Sequence, residues 1–207
     1  PPLGRCKALC ALFTPGDGSA HSLAREFSAE VSLWLSALPL GHVPLRHFTD
    51  GVNSTLLLAR SGNAMLTLAA VDGEGFARRP RPTTVDFGQT DLWETVLAGR
   101  AEADLIACAS AQPGRAVLDV SPVGLNTGQV SHRDGERQCL QLRGVEGRLV
   151  TLRLQRRKAG AGVTREYRLA DGALVHQAAA NPRGSRIELR ISLLVRMGRA
   201  DAAPLIA

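Results

Sequence analysis

The second half of the chain is dominated by segments in which aliphatic and polar residues alternate, and many of the polar residues are arginines. Residues 185–194 show this pattern most clearly. The aliphatic residues at positions 187, 189, 191 and 193 would lie on one side of an extended chain, and positions 186, 188, 190 and 192 would lie on the other. A period of two predicts a strand, which we place at the edge of a sheet.

Four further alternating segments precede this one and predict a β-meander. They cover residues 138–143, 148–155, 164–170 and 173–177. Asp171 and Gly172 separate the last two segments, and an Asp-Gly pair is typical of the tight type I′ turn of a hairpin. The C-terminal half is therefore predicted to be an antiparallel sheet.

The N-terminal part combines one helix with further strands. An apolar run over residues 6–13, bounded by prolines and glycines, predicts a buried strand. Residues 22–38 place apolar side chains at spacings of three and four, which predicts an amphipathic helix that ends at Pro39. Two β-type runs, 55–60 and 64–71, are separated by three turn-forming residues and predict a hairpin.

The middle of the chain is less regular. Residues 72–89 are rich in glycine, proline and arginine and predict a long surface loop. Thr90 or Asp91 could cap a short helix that stops at Gly99. Short strands over residues 104–109 and 116–120 and an irregular segment over 122–128 complete this part.

Together these elements predict an α+β, β-rich fold, in which an antiparallel sheet or open barrel is packed by one long and one short helix. We expect a single domain over residues 1–207, and any seam between subdomains would lie near residues 113–130. No run of about 18 apolar residues suggests a membrane span. We expect a cytoplasmic protein, with removal of an N-terminal leader left open because the chain starts at Pro1.

The charge is unevenly distributed along the chain. Residues 1–112 carry nine basic and eleven acidic residues, whereas residues 113–207 carry sixteen and eight. A half with a net charge of +8 attracts anionic partners through its electrostatic field. Aromatic residues make up only 4% of the chain, which leaves few rings for stacking on nucleic acid bases.

Four arginines are candidates for anion binding, namely Arg143, Arg153, Arg186 and Arg190. If their strands are neighbours in a curved sheet, the guanidinium groups would form one concave basic face, which Arg165 or Arg168 could extend. In the alternative, this face is solvated and its arginines pair across strands with Glu166 and Glu188.

His42, His47 and Asp50 form the only cluster that suggests catalysis. Histidine and carboxylate groups close together on a loop can transfer protons or bind a metal. In the alternative, they simply hydrogen-bond the loop to the rest of the fold.

Other motifs do not define a chemistry. Residues 86–88 and 132–134 carry the letters of the metal-binding and catalytic loops of protein kinases, but in reversed order and without the other residues that kinases need. The cysteines at positions 6, 10, 108 and 139 lack the spacing of a zinc knuckle, so we interpret them as buried thiols. No metal and no cofactor is predicted.

These observations favour a non-enzymatic binding or adaptor protein. Its basic sheet face and the 72–89 loop would engage an acidic protein or a small anionic ligand. One alternative is an enzyme that acts on a small anionic substrate near His42, His47 and Asp50. A second is a nucleic-acid-binding protein, which the charge favours and the scarcity of aromatics and lysines disfavours. A homo-oligomer could form through the predicted edge strand at 185–194.

Overall fold

The structure is a computed structural model, and it describes residues 6–38, 40–41, 45–159, 162–179 and 182–198. The strands in these ranges are β1 (His47–Thr49), β2 (Asn53–Ser61), β3 (Ala64–Asp72), β4 (Thr84–Phe87), β5 (Thr90–Gln112), β6 (Arg115–Asn126), β7 (Val130–Asp134), β8 (Gln138–Arg157), β9 (Val163–Arg168) and β10 (Leu174–Ala179). The helices are α1 (Lys7–Leu12), α2 (Ser19–Ala37), α3 (Gly73–Ala77) and α4 (Pro182–Arg196).

The larger of two antiparallel sheets has the strand order β1-β2-β3-β8-β5-β6, and β7 also pairs with β5. Its two central strands, β5 and β8, are 23 and 20 residues long. The first half of β5 lies between β7 and β8, and the second half lies between β6 and β8. The register of the β5–β8 ladder shifts three times between Val96 and Ala103, and such bulges bend a sheet. The long strands therefore serve two differently oriented parts of the sheet.

Gly99 lies at this bend and is required there. Its φ of +90° is strained for any residue with a side chain, and an added Cβ would lie 2.2 Å from the backbone oxygen of Arg148. The residue that the sequence suggests as a helix stop thus lies in a bulge of β5, where its backbone passes close to that of β8.

The smaller sheet has the order β10-β9-β4 and packs against the second half of β5. The buried residues of this contact are Val85, Phe87, Ile106, Ala116 and Tyr167. A hydrogen bond of 2.8 Å from the Ala116 N–H to the Gly172 carbonyl joins β6 to the turn between β9 and β10. The two sheets thereby enclose a space between them.

Two further cores lie on opposite faces of the larger sheet. One face carries Val71, Val96, Ala101, Ala103, Leu125 and Leu149. The other face is covered by α1 and the first turns of α2, and its buried residues are Phe13, Ala20, Leu97, Leu152 and Leu154. Beyond these turns α2 projects from the core, and Leu33 is 73% exposed.

The predicted fold class is confirmed. Strands account for 54% of the structure, the sheets are antiparallel, and helices accompany them. The helix predicted at 22–38 is α2, and the hairpin predicted at 55–60 and 64–71 is formed by β2 and β3. The Asp171–Gly172 pair lies between β9 and β10, which are antiparallel neighbours as predicted.

Two predictions in the N-terminal half are wrong. Residues 6–13 contain helix α1 rather than a strand, and residues 90–99 belong to strand β5 rather than a short helix. Apolar neighbours such as Leu92 and Trp93 resemble part of a helical stripe. In β5 the two side chains point to opposite faces of the sheet, and both faces are partly covered, so the strand needs apolar residues on each.

The strand predicted at 185–194 is also wrong, because these residues lie in α4. Ile187, Ile191 and Leu194 are separated by four and three residues, so they share one helix face as readily as alternate residues share a strand face. The proposed edge strand for a homo-oligomer is therefore absent from these residues, and an oligomer stays a prediction.

The meander differs from its prediction as well. The segments 138–143 and 148–155 are two parts of the single strand β8, with no turn between them. The 72–89 loop contains α3 and β4, and the segment predicted to be irregular at 122–128 begins as the end of β6.

Candidate functional site

A cavity of about 380 Å³ lies where the smaller sheet faces the bend of the larger one. Its walls come from β4, β5, β6, β7, β8 and β9 and from the turns beside them. The lining residues that bear on its chemistry are Asp86, Leu92, Glu94, Leu125, Arg133, Leu140, Leu142 and Arg153. A cavity of this size is at the lower end of the range for small-molecule sites.

Three charged side chains from neighbouring strands meet in this cavity, and we call Glu94, Arg133 and Arg153 the inner cluster. The Arg133 Nη2 donates to one carboxylate oxygen of Glu94 at 2.5 Å. The Arg153 Nε donates to the other oxygen at 2.5 Å. Both oxygens of Glu94 therefore have a charged partner.

Strand register brings these residues together. Glu94 on β5 stands opposite Arg153 on β8, and Leu92, two residues earlier on the same face of β5, stands opposite Arg133 on β7. Directly opposed residues of antiparallel strands point to the same face of a sheet. The two arginines thus approach Glu94 from both sides of β5, and the three side chains share the face that lines the cavity.

Burial differs within the inner cluster. The side chain of Glu94 is 2% exposed and that of Arg133 is 8% exposed, whereas that of Arg153 is 34% exposed. Arg133 also donates to the hydroxyl of Ser131 at 2.9 Å. The terminal amino groups of Arg153, in contrast, donate to no residue that the structure describes. Arg153 therefore presents unused hydrogen-bond donors at the cavity wall.

The inner cluster keeps one net positive charge. Burial alone would raise the pKa of Glu94, but the positive charges of Arg153 and Arg133 outweigh it and hold the pKa below its ordinary value. Glu94 is thus ionised at neutral pH and neutralises one arginine. The second positive charge is left without a balancing anion within the cluster.

Asp86 occupies the opposite wall, on β4 of the smaller sheet. Burial and the nearby negative charge of Glu166, its register partner on β9, raise its pKa, while His176 acts in the opposite direction. The cavity therefore has a positively charged side and a side that carries an acidic group.

The other arginines predicted to bind anions are placed differently. Arg143 lies on the same strand as Arg153 and pairs with Glu102 at 3.5 Å and with Asp104 at 3.4 Å. Arg186 and Arg190 lie on α4. The predicted placement of all four arginines on neighbouring strands is wrong, because Arg186 and Arg190 are helical, and anion binding by these residues stays a prediction. Only Arg153 of the four lines this cavity.

Two of the candidate catalytic residues, His47 and Asp50, lie away from this cavity. Asp50 accepts hydrogen bonds from Arg79 and from the backbone N–H groups of Asn53 and Val52, and these bonds hold its pKa far below the ordinary value. The Nδ1 of His47, on β1, lies 3.4 Å from the carbonyl oxygen of Leu45. His42 lies outside the described residues. Asp50 therefore stabilises the turn before β2, and catalysis by these three residues stays a prediction.

The cysteines are free thiols in the described part of the chain, and Cys6 is exposed rather than buried. Burial raises the pKa of Cys108 and of Cys139, which makes both thiols less reactive. Within the ranges that the structure covers, no group of three histidine, cysteine or acidic side chains is arranged to hold a metal ion.

The sequence patterns do not identify Glu94 and Arg133 as site residues. Glu94 lies in the segment predicted to begin a short helix, and Arg133 lies in the kinase-like triplet at 132–134. A usable signal was present, because Glu94 alternates with Leu92 and Val96, and a lone acidic residue on an apolar strand face needs a buried partner.

No protein-family model matches the sequence, and no curated protein matches it. The Momordica charantia 7S globulin is 14% identical, with a TM-score of 0.39, over 62% of this chain and 36% of the globulin. Drosophila melanogaster CENP-C bound to CAL1 is 14% identical, with a TM-score of 0.41, over 65% of this chain and 98% of the other.

HutD from Pseudomonas fluorescens SBW25 is 16% identical, with a TM-score of 0.37, over 59% of this chain and 65% of HutD. The match thus spans less than two thirds of the globulin and HutD chains. At these scores the likeness is partial and carries nothing about ligands. Among the helices in the described ranges, none is both long and apolar enough to cross a bilayer.

Proposed function

We propose that this protein is a non-enzymatic binding protein that holds a small anionic ligand in the cavity. The observation that carries the proposal is the arrangement of Arg153. Its Nε donates to Glu94, its terminal amino groups have no partner among the described residues, and the residue lines the cavity. A guanidinium offers donors in a planar fork that matches the oxygens of a carboxylate or a phosphate.

The rest of the inner cluster prepares Arg153 for this role. Glu94 is 2% exposed and is anchored by Arg133, so it holds the Nε of Arg153 in one place before any ligand arrives. Fixing a long side chain in advance lowers the entropy lost when a ligand binds. Because Arg133 already neutralises Glu94, the charge of Arg153 is available to the ligand.

The 72–89 segment contributes to the same cavity through Asp86 and Gly88. Two of its arginines are already engaged, since Arg78 pairs with Glu74 and Arg79 pairs with Asp50. Recognition of an acidic protein by this segment therefore stays a prediction, and the small ligand is the better-supported partner.

The proposed enzyme has less support. Neither His47 nor Asp50 lines this cavity, and the oxygens of Asp50 are occupied by hydrogen bonds within its own turn and with Arg79. Nucleic acid binding stays a prediction too, because a guanidinium on the wall of a small cavity suits a small anion better than a polymer.

The proposal is tested by titrating the full chain with acetate and, separately, with phosphate by isothermal titration calorimetry in a low-salt, chloride-free buffer. We expect a dissociation constant on the order of millimolar for ligands this small. Replacing Arg153 with methionine, as Arg153→Met, should weaken binding by about 10- to 100-fold, because a charge-assisted hydrogen bond is lost.

Arg143→Met is the matched control, since Arg143 lies on the same strand but pairs with Glu102 and Asp104. It should bind both anions as the unaltered chain does. Circular dichroism should show that both variants retain the fold. Equal binding by Arg153→Met and the unaltered chain, or no binding of either anion by the unaltered chain, would contradict the proposal.

A further inference from the structure

We infer that the ligand is a monocarboxylate with an apolar chain. The inference rests on the proposed function and names the class of anion. It follows from the chemistry of the remaining cavity walls, which favours an apolar body and opposes a second negative charge.

Leucines form the apolar part of the cavity lining. They are Leu92 on β5, Leu125 on β6, and Leu140 and Leu142 on β8. Leu92 is on the same face of β5 as Glu94 and only two residues from it, so the apolar wall begins directly beside the inner cluster. A carboxylate held by Arg153 would therefore have its chain against leucine side chains.

Packing holds this wall in place. Leu125 is 4% exposed and belongs to the core that also contains Val96 and Leu149, and Leu140 and Leu142 pack against that core. Because the core supports these leucines from behind, their positions are fixed before a ligand chain enters. Each methylene group that enters it leaves water, which is the main source of affinity for an apolar body.

The charges that line the cavity limit the ligand to one negative charge. Arg133 and Arg153 are the basic residues in the described lining, and Glu94 already balances one of them. The remaining acidic group, Asp86, stands on the opposing sheet. A second carboxylate on the ligand would find no cation and would be repelled by Asp86 when that group is ionised.

The experiment is a calorimetric titration of the full chain with acetate, butyrate, hexanoate and octanoate under the same buffer conditions. We expect affinity to rise by about three- to fourfold for each added methylene until the cavity is filled. Affinity that stays constant from acetate to hexanoate would overturn the inference.

A second series keeps six carbons and changes only the far end of the molecule. Hexanoate should bind at least tenfold more tightly than adipate, because adipate carries a second carboxylate. It should also bind more tightly than 6-aminohexanoate, whose ammonium group would lie in the apolar part. Preference for 6-aminohexanoate would overturn the inference and identify a zwitterionic ligand that pairs with Asp86.

The variant Leu92→Thr separates the two proposals. Threonine suits a strand and removes apolar surface beside the inner cluster, so the binding of hexanoate should weaken several-fold more than the binding of acetate. If acetate binding depends on Arg153 and chain length has no effect, the proposed function stands and the inference fails. If no carboxylate or phosphate binds, the proposed function fails as well.

Discussion

Two ionic clusters lie on opposite sides of the part of the sheet formed by β5, β7 and β8. The inner cluster consists of Glu94, Arg133 and Arg153 and faces the cavity. We call the other one the outer cluster, and its members are Asp91, Asp134, Glu136, Arg156 and Lys158. The Nζ of Lys158 lies 2.6 Å from a carboxylate oxygen of Asp134 and 2.7 Å from one of Glu136. The Nη2 of Arg156 lies 2.5 Å from a carboxylate oxygen of Asp91.

The clusters differ in net charge and in whether the hydrogen-bond donors of their cations all have acceptors. The inner cluster has two cations and one anion, and one cation retains unused donors. The outer cluster has two cations and three anions, and Arg156 also lies over the ring of Trp93 at 5.5 Å. The ammonium of Lys158 has short contacts with two carboxylates. The outer cluster is therefore saturated and joins strand ends, whereas the inner cluster keeps a charge for a ligand.

An ion pair is informative about function only together with its surroundings. A saturated network needs no ligand to explain it. A cluster with an excess charge on the wall of a cavity, where Arg153 is 34% exposed, offers that charge to an external partner.

The largest expected effect is on the inner cluster. Glu94→Gln should lower the free energy of unfolding by about 3–5 kcal/mol, because it leaves two arginines without their buried counter-charge. Urea denaturation followed by circular dichroism measures the loss. Glu102→Gln is the control, since Glu102 is 75% exposed and pairs with Arg143 at 3.5 Å, so its loss should stay below about 0.5 kcal/mol. Equal losses in the two variants would show that Glu94 has no special role.

The equivalent change in the outer cluster should be smaller. Asp91→Asn should cost about 1–2 kcal/mol in the same assay, because Lys158 keeps two other carboxylates and Arg156 keeps its contact with Trp93. A loss as large as that of Glu94→Gln would remove the distinction between the two clusters.

Acid should affect the inner cluster. The pKa of Glu94 is lowered in the folded state, so its contribution to stability is present above its unfolded pKa of about 4.3 and is lost as pH falls through the folded pKa. Below pH 4.3 the unaltered chain should lose stability more steeply than Glu94→Gln, by up to about 1.4 kcal/mol per pH unit. Urea denaturation at several pH values measures both slopes, and parallel curves would contradict the prediction.

Alkali should affect the outer cluster. Burial alone would lower the pKa of Lys158, but hydrogen bonds with Asp134 and Glu136 raise it above its ordinary value. The contribution of Lys158 is complete below its unfolded pKa of about 10.4 and is lost as pH rises through the folded pKa. Above this pH the free energy of unfolding should fall more steeply for the unaltered chain than for Lys158→Met. The difference between the two slopes should be smaller than in acid, because Lys158 is partly exposed. A Lys158→Met curve as steep as that of the unaltered chain would argue against it.

The smallest expected effect concerns Thr151, which is on the inner face but outside the inner cluster. It is 1% exposed, and its hydroxyl has no hydrogen-bond partner in the described part of the structure. Thr151→Val should therefore stabilise the fold by about 0.5–1 kcal/mol, since an unsatisfied polar group is replaced by a methyl group of similar size. Destabilisation in thermal melts would mean that the hydroxyl has a partner.

Prediction from the sequence succeeded where the pattern had one solution. The β2–β3 hairpin and the turn at Asp171–Gly172 are specified by local residues, and α2 by a long apolar stripe. It failed at β5 and α4, where the same apolar spacing fits both a helix and a strand. Choosing between them requires knowing how many faces of the segment are covered, which depends on distant parts of the chain.

The candidate site was predicted only in part. Arg153 alternates with leucines on a predicted strand, which is why the sequence predicts it as an anion-binding residue, and its placement on a strand is correct. Its partners were not foreseen, because Glu94 is 59 residues from Arg153 and 39 residues from Arg133 in the chain. No local pattern specifies the register that sets these residues opposite one another.

The sequence by itself determined that this chain forms antiparallel sheets with an amphipathic helix, because alternation, turn residues and helical spacing act between near neighbours. The tertiary structure alone decided which face of β5 and β8 is enclosed, and therefore which charges become a buried cluster beside a cavity. The physical reason is that burial and register arise from contacts between segments far apart in the chain. The energy of each charge, and its pKa, depend on the groups and the solvent that surround it.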